Sequence, residues 1–244
     1  MTTGVRRIFI GDVHANYDGL MLLLNAIALN SDDQVYFLGD LINRGAKSAQ
    51  VVEFVRKSAY YCLLGNHEQM FLDYFQSKRI TKQVIEKAAF TYKETINSYF
   101  QLDISLLAVH LEWFASLPLY LDLGDIWAVH AGVNPQIPLD KQTKKEFCWI
   151  RQPFYSTSKP YFPNKLIIVG HTPTFKFGGV VPGKLVQGKG WLDIDTGAYD
   201  SRSGWLTGLD ITNRKVYQAN VFSRKTRVLD LEDVVEGMGK NIKN

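Results

Sequence analysis

Three short polar segments, each preceded by an apolar stretch, stand out in the first third of the sequence. They read GDVH at 11–14, GDLINRG at 39–45 and GNHE at 65–68. Two later histidines, His130 and His171, also follow apolar stretches, so four of the five histidines lie in such a setting. A single Gly-Asp pair is ordinary turn chemistry, but the whole set together indicates a functional site.

The residue types in these segments indicate metal and phosphate chemistry. Aspartate, histidine and asparagine offer mixed oxygen and nitrogen ligands, which suit Mn, Fe or Zn better than Mg or Ca. Two metals about 3.5–4 Å apart can hold both oxygens of an in-line displacement, and a carboxylate can bridge them through its two oxygens. Arg44 adds a planar, permanently charged fork that matches phosphate. These residues therefore predict a two-metal site that acts on phosphate.

Alternating strands and helices are predicted around these segments. The apolar patterns predict strands at 5–11, 34–39 and 59–65 and helices at 17–30 and 48–57. That order is typical of βαβ units with parallel strands. Ligands bind beyond the carboxyl ends of strands in open α/β sheets, so we expect the three polar segments to converge.

The remaining sequence predicts one metal-site domain, 1–244, with two elaborations. Residues from about 68 to 118 are predicted to form a helical insertion, and a tail from about 228 to 244 has room for one short helix. Strands are expected again at 119–124, 126–132, 165–171, 190–197, 204–211 and 215–222, in a second, more antiparallel sheet. The predicted fold class is α/β (α+β), with two packed mixed β-sheets in a sandwich flanked by helices.

Composition excludes several classes of protein. Hydrophobic residues make up 46% of the 244 residues and charged residues 21%, as in globular domains. No apolar run reaches the roughly 18 residues of a membrane span, and the net charge of +4 includes no dense basic block. Cys62 and Cys148 are too few for a disulfide framework. We expect a cytoplasmic protein with no membrane and no nucleic-acid partner; the sequence leaves its oligomeric state open.

The motifs resemble those of the calcineurin-like metallophosphoesterases. Within that superfamily the chain is similar to the bacterial phosphoprotein phosphatase branch and to the related symmetrical diadenosine tetraphosphate hydrolases. The match runs from Gly11 to His171, with weaker similarity through Asp195-Thr196-Gly197. The predicted insertion and the tail contain none of the matching motifs.

The resemblance implies a role for each motif residue. One metal would be bound by Asp12 and His14, both metals would be bridged by Asp40, and the second would be completed by Asn66, His130 and His171. Manganese is the expected metal, with iron or zinc as alternatives. A metal-bridging hydroxide would attack phosphorus directly. His67 would donate a proton to the leaving oxygen as general acid.

Two arginines are implied as the phosphate clamp. Arg44 and Arg151 would hold phosphate oxygens, next to Asn66 and His67; a surface ion pair is the alternative for Arg151. Family members usually carry an acid at the position of Asn43. An asparagine can accept a hydrogen bond from His67 but carries no charge that would raise the pKa of the ring, so we expect His67 to be a weaker store of the acid proton here.

Three functions remain open from the sequence. A Ser/Thr protein phosphatase acting on phosphate monoesters is the main interpretation, supported by Glu68 and the Gly-His-Thr-Pro segment at 170–173. A dinucleoside polyphosphate hydrolase is the alternative, supported by Asn43. A scaffold that binds without catalysis is disfavoured because every ligand position is filled. The partner would be a phosphorylated protein or a small phosphorylated molecule.

Two further sets of polar residues carry weaker expectations. His110, on a predicted helix of the insertion, is expected to be structural. Asp193 and Asp195 could support a metal-bound histidine or could be turn carboxylates, and the sequence does not separate these roles.

Overall fold

The computed structural model describes residues 5–238, which form two β-sheets flanked by helices. In chain order the strands are β1 (Arg7–Ile10), β2 (Gln34–Phe37), β3 (Tyr61–Cys62), β4 (Tyr120–Asp122), β5 (Ile126–Val129), β6 (Leu166–Val169), β7 (Leu185–Gly188), β8 (Trp191–Asp193), β9 (Trp205–Asp210), β10 (Lys215–Asn220), β11 (Thr226–Asp230) and β12 (Val235–Gly237). The helices are α1 (Tyr17–Ile27), α2 (Ser48–Lys57), α3 (Asn66–Phe75), α4 (Lys82–Thr91), α5 (Lys93–Leu102), α6 (Leu106–Ser116), α7 (Lys144–Trp149), α8 (Gln152–Tyr155) and α9 (Leu231–Val234).

The first sheet has the strand order β11-β10-β9-β1-β2-β3. Strands β1, β2 and β3 pair in parallel, as the βαβ pattern predicts. Strand β9 pairs antiparallel with β1, with Ile8 opposite Asp210, and β10 and β11 follow antiparallel. The expectation that the strands at 204–211 and 215–222 belong to a second sheet was therefore wrong. Strand β1 has a free edge once β2 and β3 lie on one side, and β9 covers that edge.

The second sheet has the strand order β12-β7-β8-β6-β5-β4. Its central strands β5, β6 and β8 pair in parallel, whereas β4 and β7 join antiparallel. This sheet is therefore less antiparallel than predicted, because the segments that connect its central strands are long enough for crossovers. Strand β12 and helix α9 come from the predicted tail, of which residues 239–244 lie outside the described part.

The two sheets pack face to face and helices cover the outer face of the first. Strand β1 shows the alternation that this requires. Phe9 points into the cluster between the sheets with Ile168 and Leu209, and its neighbours Ile8 and Ile10 pack against the helices. The predicted α/β class with two packed mixed sheets is confirmed.

Helices α3 to α6 occupy the region in which the sequence predicts a helical insertion, and α5 and α6 pack against α2. Fully buried His110 joins α6 to its neighbours: its Nε2 lies 2.9 Å from Glu53 Oε2, and its Nδ1 lies 3.0 Å from the Tyr99 hydroxyl. These contacts give His110 a packing role. Among the described helices, none is long and apolar enough to cross a membrane.

Replacing Glu53 by glutamine should lower stability in a pH-dependent way. Partial burial raises the pKa of Glu53, but hydrogen bonds from Lys57, His110 and Arg56 outweigh this and lower it from 4.5 to about 2. The stabilisation is therefore complete above pH 4.5 and is lost as the pH falls towards 2. We expect Glu53→Gln to lower the Tm by about 2–4 °C at pH 7.

Thermal unfolding at pH 7 and at pH 3, followed by circular dichroism, measures this difference. The Tm gap between the two proteins should be smaller at pH 3. A gap that stays constant or grows on acidification would contradict the assigned role of Glu53.

Candidate metal centre

The ends of the parallel strands bring the expected metal ligands together. Asp12 follows β1, Asp40 follows β2, Asn66 begins α3 just after β3, and His130 and His171 follow β5 and β6. With His14 they form one cluster in which no member is more than 6% exposed. The geometry thus places side by side residues that are far apart in the sequence.

The Asp40 carboxylate lies at the centre of this cluster. Its Oδ1 is 3.5 Å from His130 Nε2, and its Oδ2 is 3.7 Å from His14 Nε2. The two oxygens therefore face different groups of ligands, as a bridging carboxylate must. Burial raises the pKa of Asp40, but His130, His67 and His14 outweigh this and hold it below its usual range.

The ligands expected for the first metal are Asp12, His14 and Asp40, which we call the first ligand group. Asp12 Oδ2 lies 3.9 Å from His14 Nε2. The other ring nitrogen of His14, Nδ1, is 3.1 Å from the carbonyl oxygen of Ile42. A proton on Nδ1 can be donated to that carbonyl, which leaves the Nε2 lone pair free to bind a metal.

The second ligand group is more compact. Asn66 Oδ1 lies 3.0 Å from His130 Nε2 and 2.8 Å from His171 Nδ1. His130 Nδ1 is 2.8 Å from the carbonyl oxygen of Leu38, so its Nε2 is also presented as a ligand. These spacings are those of donor atoms around one ion.

The electrostatics of the cluster also fit divalent cations. Burial, followed by the charges of Asp195 and Asp40, raises the pKa of Asp12 well above its usual range. Asp195 Oδ2 is buried without a hydrogen-bond partner among the described residues. Crowded buried carboxylates of this kind are stabilised by a positive ion. When bound, two such ions polarise a phosphoryl oxygen and activate water.

Two glycines leave the space that the ligands occupy. A Cβ on Gly170 would lie 2.2 Å from Asp12 Oδ1, and one on Gly65 would lie 2.3 Å from Asp40 Oδ1. Asp40 itself adopts a φ of 51° and His171 a φ of 70°, in the left-handed region that is strained for residues other than glycine. The surrounding contacts must hold these conformations.

Glu68 supplies such contacts, and sequence reasoning did not assign it this role. Its buried carboxylate accepts hydrogen bonds from the backbone N–H groups of Asp40 at 2.9 Å, Leu41 at 2.8 Å and Gly65 at 3.1 Å. One side chain therefore joins the second motif to the third and fixes the left-handed turn at Asp40.

His67 lies at the edge of the cluster, with Nε2 at 3.9 Å from Asp40 Oδ2. Its Nδ1 is 2.8 Å from Asn43 Nδ2, and Asn43 Oδ1 accepts a hydrogen bond from the Thr95 hydroxyl at 2.6 Å. The sequence predicts that Asn43 accepts from His67, but its oxygen is already engaged and its amide nitrogen faces the ring. Burial lowers the pKa of His67, and the charge of Asp40 opposes this only in part.

Two arginines lie at the open side of the cluster. The Arg44 guanidinium stacks 4.2 Å above the ring of Tyr199, which in turn packs edge-on against His14 at 4.7 Å. Arg151 precedes α8 and its charge contributes, after burial and His130, to lowering the pKa of His171. The arginines thus lie beside different ligand groups. Tyr199, which orients Arg44, carries no motif signal.

Gly170→Ala should weaken metal binding without unfolding the protein. The added methyl group collides with Asp12 and displaces a ligand, so we expect metal affinity to fall by about 10-fold or more. Metal content per chain after loading with Mn²⁺ and dialysis, measured by elemental analysis, reports the change.

Gly237→Ala is the matched control, because a Cβ there meets nothing within 4 Å. This variant should retain the wild-type metal content. Equal metal content in both variants would contradict the assignment of Asp12, at its position beside Gly170, as a metal ligand.

Comparison with known proteins agrees with this geometry. A family model described as calcineurin-like phosphoesterase matches residues 5–199. The chain therefore belongs to the calcineurin-like phosphoesterase family, whose members act on phosphoester bonds with a dinuclear divalent metal site.

Individual relatives show narrower similarities. A symmetrical bis(5'-nucleosyl)-tetraphosphatase of Aliivibrio fischeri is 33% identical over 133 residues, which cover 52% of this chain and 45% of the relative. The chain thus spans about half the length of the curated relatives it matches.

Two solved structures share the fold. A putative diadenosine tetraphosphatase superposes with a TM-score of 0.59 at 18% identity, covering 93% of this chain and 94% of the other. A cold-active protein-tyrosine phosphatase of Shewanella has a TM-score of 0.58 at 21% identity, with coverage of 93% and 81%.

Proposed function

We propose that the protein hydrolyses dinucleoside polyphosphates, with diadenosine tetraphosphate as the representative substrate. Water attacks one phosphorus, the bridging P–O bond breaks, and a nucleoside diphosphate departs. The curated relatives that carry the name of symmetrical tetraphosphatase support this alternative over the Ser/Thr phosphatase that the sequence favours as its main interpretation.

The observation that carries the proposal is the neutral amide beside His67. Asn43, and not a carboxylate, lies 2.8 Å from Nδ1 of the ring. A serine or threonine alkoxide needs a proton in order to leave, and a carboxylate beside the histidine favours the protonated ring that can supply it. A nucleoside diphosphate leaves as a stable anion and has no such need. The amide therefore suits a phosphoanhydride better than a phosphate monoester.

A cavity of about 520 Å³ beside His67 and Arg44 offers room for a nucleoside. It is lined by Met70 on α3, Tyr92 between α4 and α5, and Lys93 at the start of α5. Small-molecule sites of this size typically combine apolar walls with a few polar groups. One nucleoside would lie in this cavity while its phosphates reach the metal centre.

The residues of the centre then have the following roles in the proposal. Arg44, beside the first ligand group, and Arg151, beside the second, hold oxygens of the phosphate. Asn66 contacts the same phosphate. His67 donates a hydrogen bond from Nε2 to the leaving oxygen. Two divalent ions would be held by Asp12, His14, Asp40, Asn66, His130 and His171, with manganese expected and iron or zinc as alternatives.

A paired rate comparison tests the substrate class. The Mn²⁺-loaded protein should show a kcat/KM at least about 10-fold higher for diadenosine tetraphosphate than for a phosphothreonine peptide, because only the first has a leaving group that is stable as an anion. Asp40→Asn is the blank and should remove nearly all of both activities.

The opposite preference would identify a protein phosphatase and reject the proposal. Equal and low rates in the wild-type protein and in Asp40→Asn would favour a scaffold instead.

Lys93→Ala tests the cavity. Lys93 lines it on α5, so its removal should raise the KM for diadenosine tetraphosphate several-fold more than the KM for p-nitrophenyl phosphate, which has no nucleoside. Lys82→Ala is the matched control, because Lys82 lies on neighbouring α4 with its side chain 90% exposed. If both variants behave alike, the nucleoside does not use this cavity.

A further inference from the structure

A series of hydrogen bonds connects helix α5 to His67. Ser48 at the start of α2, Thr95 on α5, Asn43 and His67 follow one another through contacts of 3.1 Å, 2.6 Å and 2.8 Å. We call these four residues the hydroxyl–amide network. Thr95 lies 52 positions from Asn43 in sequence and belongs to no motif.

The direction of donation in this network follows from counting hydrogens. Ser48 Oγ accepts the backbone N–H of Asn43 at 3.2 Å. Among the described residues, the hydroxyl hydrogen of Ser48 has Thr95 Oγ1 as its acceptor, at 3.1 Å. Thr95 must then direct its own hydrogen to Asn43 Oδ1, and the amide of Asn43 presents an N–H to His67.

The reverse direction is disfavoured by burial. Ser48 is 0% and Thr95 1% exposed, so neither hydroxyl can turn to solvent. If Thr95 donated to Ser48, the hydroxyl hydrogen of Ser48 would be left without an acceptor. A buried donor without a partner costs about 1–3 kcal/mol.

We propose that Thr95 is a positioning residue, which holds the Asn43 amide so that His67 keeps its proton on Nε2. An imidazole that accepts a hydrogen bond at Nδ1 carries its proton on the other nitrogen. Nε2 is the nitrogen that faces Asp40 and the metal centre. Helix α5 thereby determines, through Thr95, which ring nitrogen of His67 offers a hydrogen to substrate.

Further contacts hold Thr95 in place. The Ser98 hydroxyl donates to the Thr95 carbonyl at 2.6 Å and accepts the backbone N–H of Ala49 at 2.9 Å, so α5 is pinned to the first turn of α2. Ser48 belongs to the same turn. Ser48, which donates to Thr95, therefore keeps a fixed position relative to α5, and its hydrogen bond from the backbone N–H of Asn43 holds the acceptor of Thr95 beside it.

The test is the tautomer of His67, read from side-chain ¹⁵N shifts in long-range ¹H–¹⁵N spectra. Spectra of the full chain, without metal and loaded with diamagnetic Zn²⁺, are recorded at about pH 8, where imidazoles are neutral. The His67 signals are assigned by their loss in His67→Asn. The wild-type protein should show the Nε2–H form.

Thr95→Val keeps the shape of the side chain but removes the hydroxyl. The Asn43 amide then has no donor at Oδ1 and is free to turn its oxygen to the ring, so the Nδ1–H form should appear. Thr95→Ser is the matched control and should keep the Nε2–H form. Asn43→Asp provides the reference spectrum of the Nδ1–H form, because its carboxylate can only accept a hydrogen bond from the ring.

Kinetics supply a second readout. Thr95→Val should lower kcat by about 10-fold with little change in KM, and Thr95→Ser should restore it. An Nδ1–H form in the wild-type protein, or an unchanged Nε2–H form in Thr95→Val, would overturn the assignment. Because the spectra need no substrate, this outcome is independent of whether the proposed dinucleotide activity holds.

Discussion

The position of the buried Asp40 carboxylate is the constraint on which the rest of the site depends. Its two oxygens face His130 and His14 at 3.5 Å and 3.7 Å, and one of them also accepts the backbone N–H of His67. This requires a left-handed backbone at Asp40, with a φ of 51°. The strain is balanced by Glu68, whose carboxylate ties the Asp40 turn to the start of α3. The strand ends, the start of α3 and both groups of expected ligands are therefore arranged around one carboxylate.

Helices α3 and α5 contribute to this arrangement in different ways. Helix α3 begins at Asn66 and carries His67 and Glu68, so the expected ligand, the histidine at the edge of the cluster and the residue that holds the Asp40 turn share one rigid element. Helix α5 packs against α2 and brings Thr95 to Asn43. Both helices also line the neighbouring cavity.

Some of these features were predictable from the sequence for a clear physical reason. Parallel strands end at one edge of a sheet, so Asp12, Asp40 and Asn66 could be placed together from their positions after three apolar segments. The sheet to which β9 and β10 belong could not be predicted, because the free edge of β1 is visible only once the strand order is known. The roles of Tyr199 and Thr95 could not be predicted for a related reason. Each acts through a partner that is distant in sequence, and neither residue type indicates metal or phosphate chemistry.

The case of Asn43 shows why a motif can be misread without its surroundings. Asparagine and aspartate have nearly the same shape, and from the sequence the difference looks like the loss of one charge. In the structure the oxygen of Asn43 is engaged by Thr95, so the amide nitrogen faces His67 and the hydrogen bond runs towards the ring. A carboxylate at this position would accept from both neighbours and would draw the proton of His67 to Nδ1. The substitution therefore changes which nitrogen offers a hydrogen to substrate as well as the charge beside it. That reversal depends on the hydroxyl of Thr95 on α5, which lies outside the motif, so the motif alone does not determine whether the site suits a phosphoanhydride or a phosphate monoester.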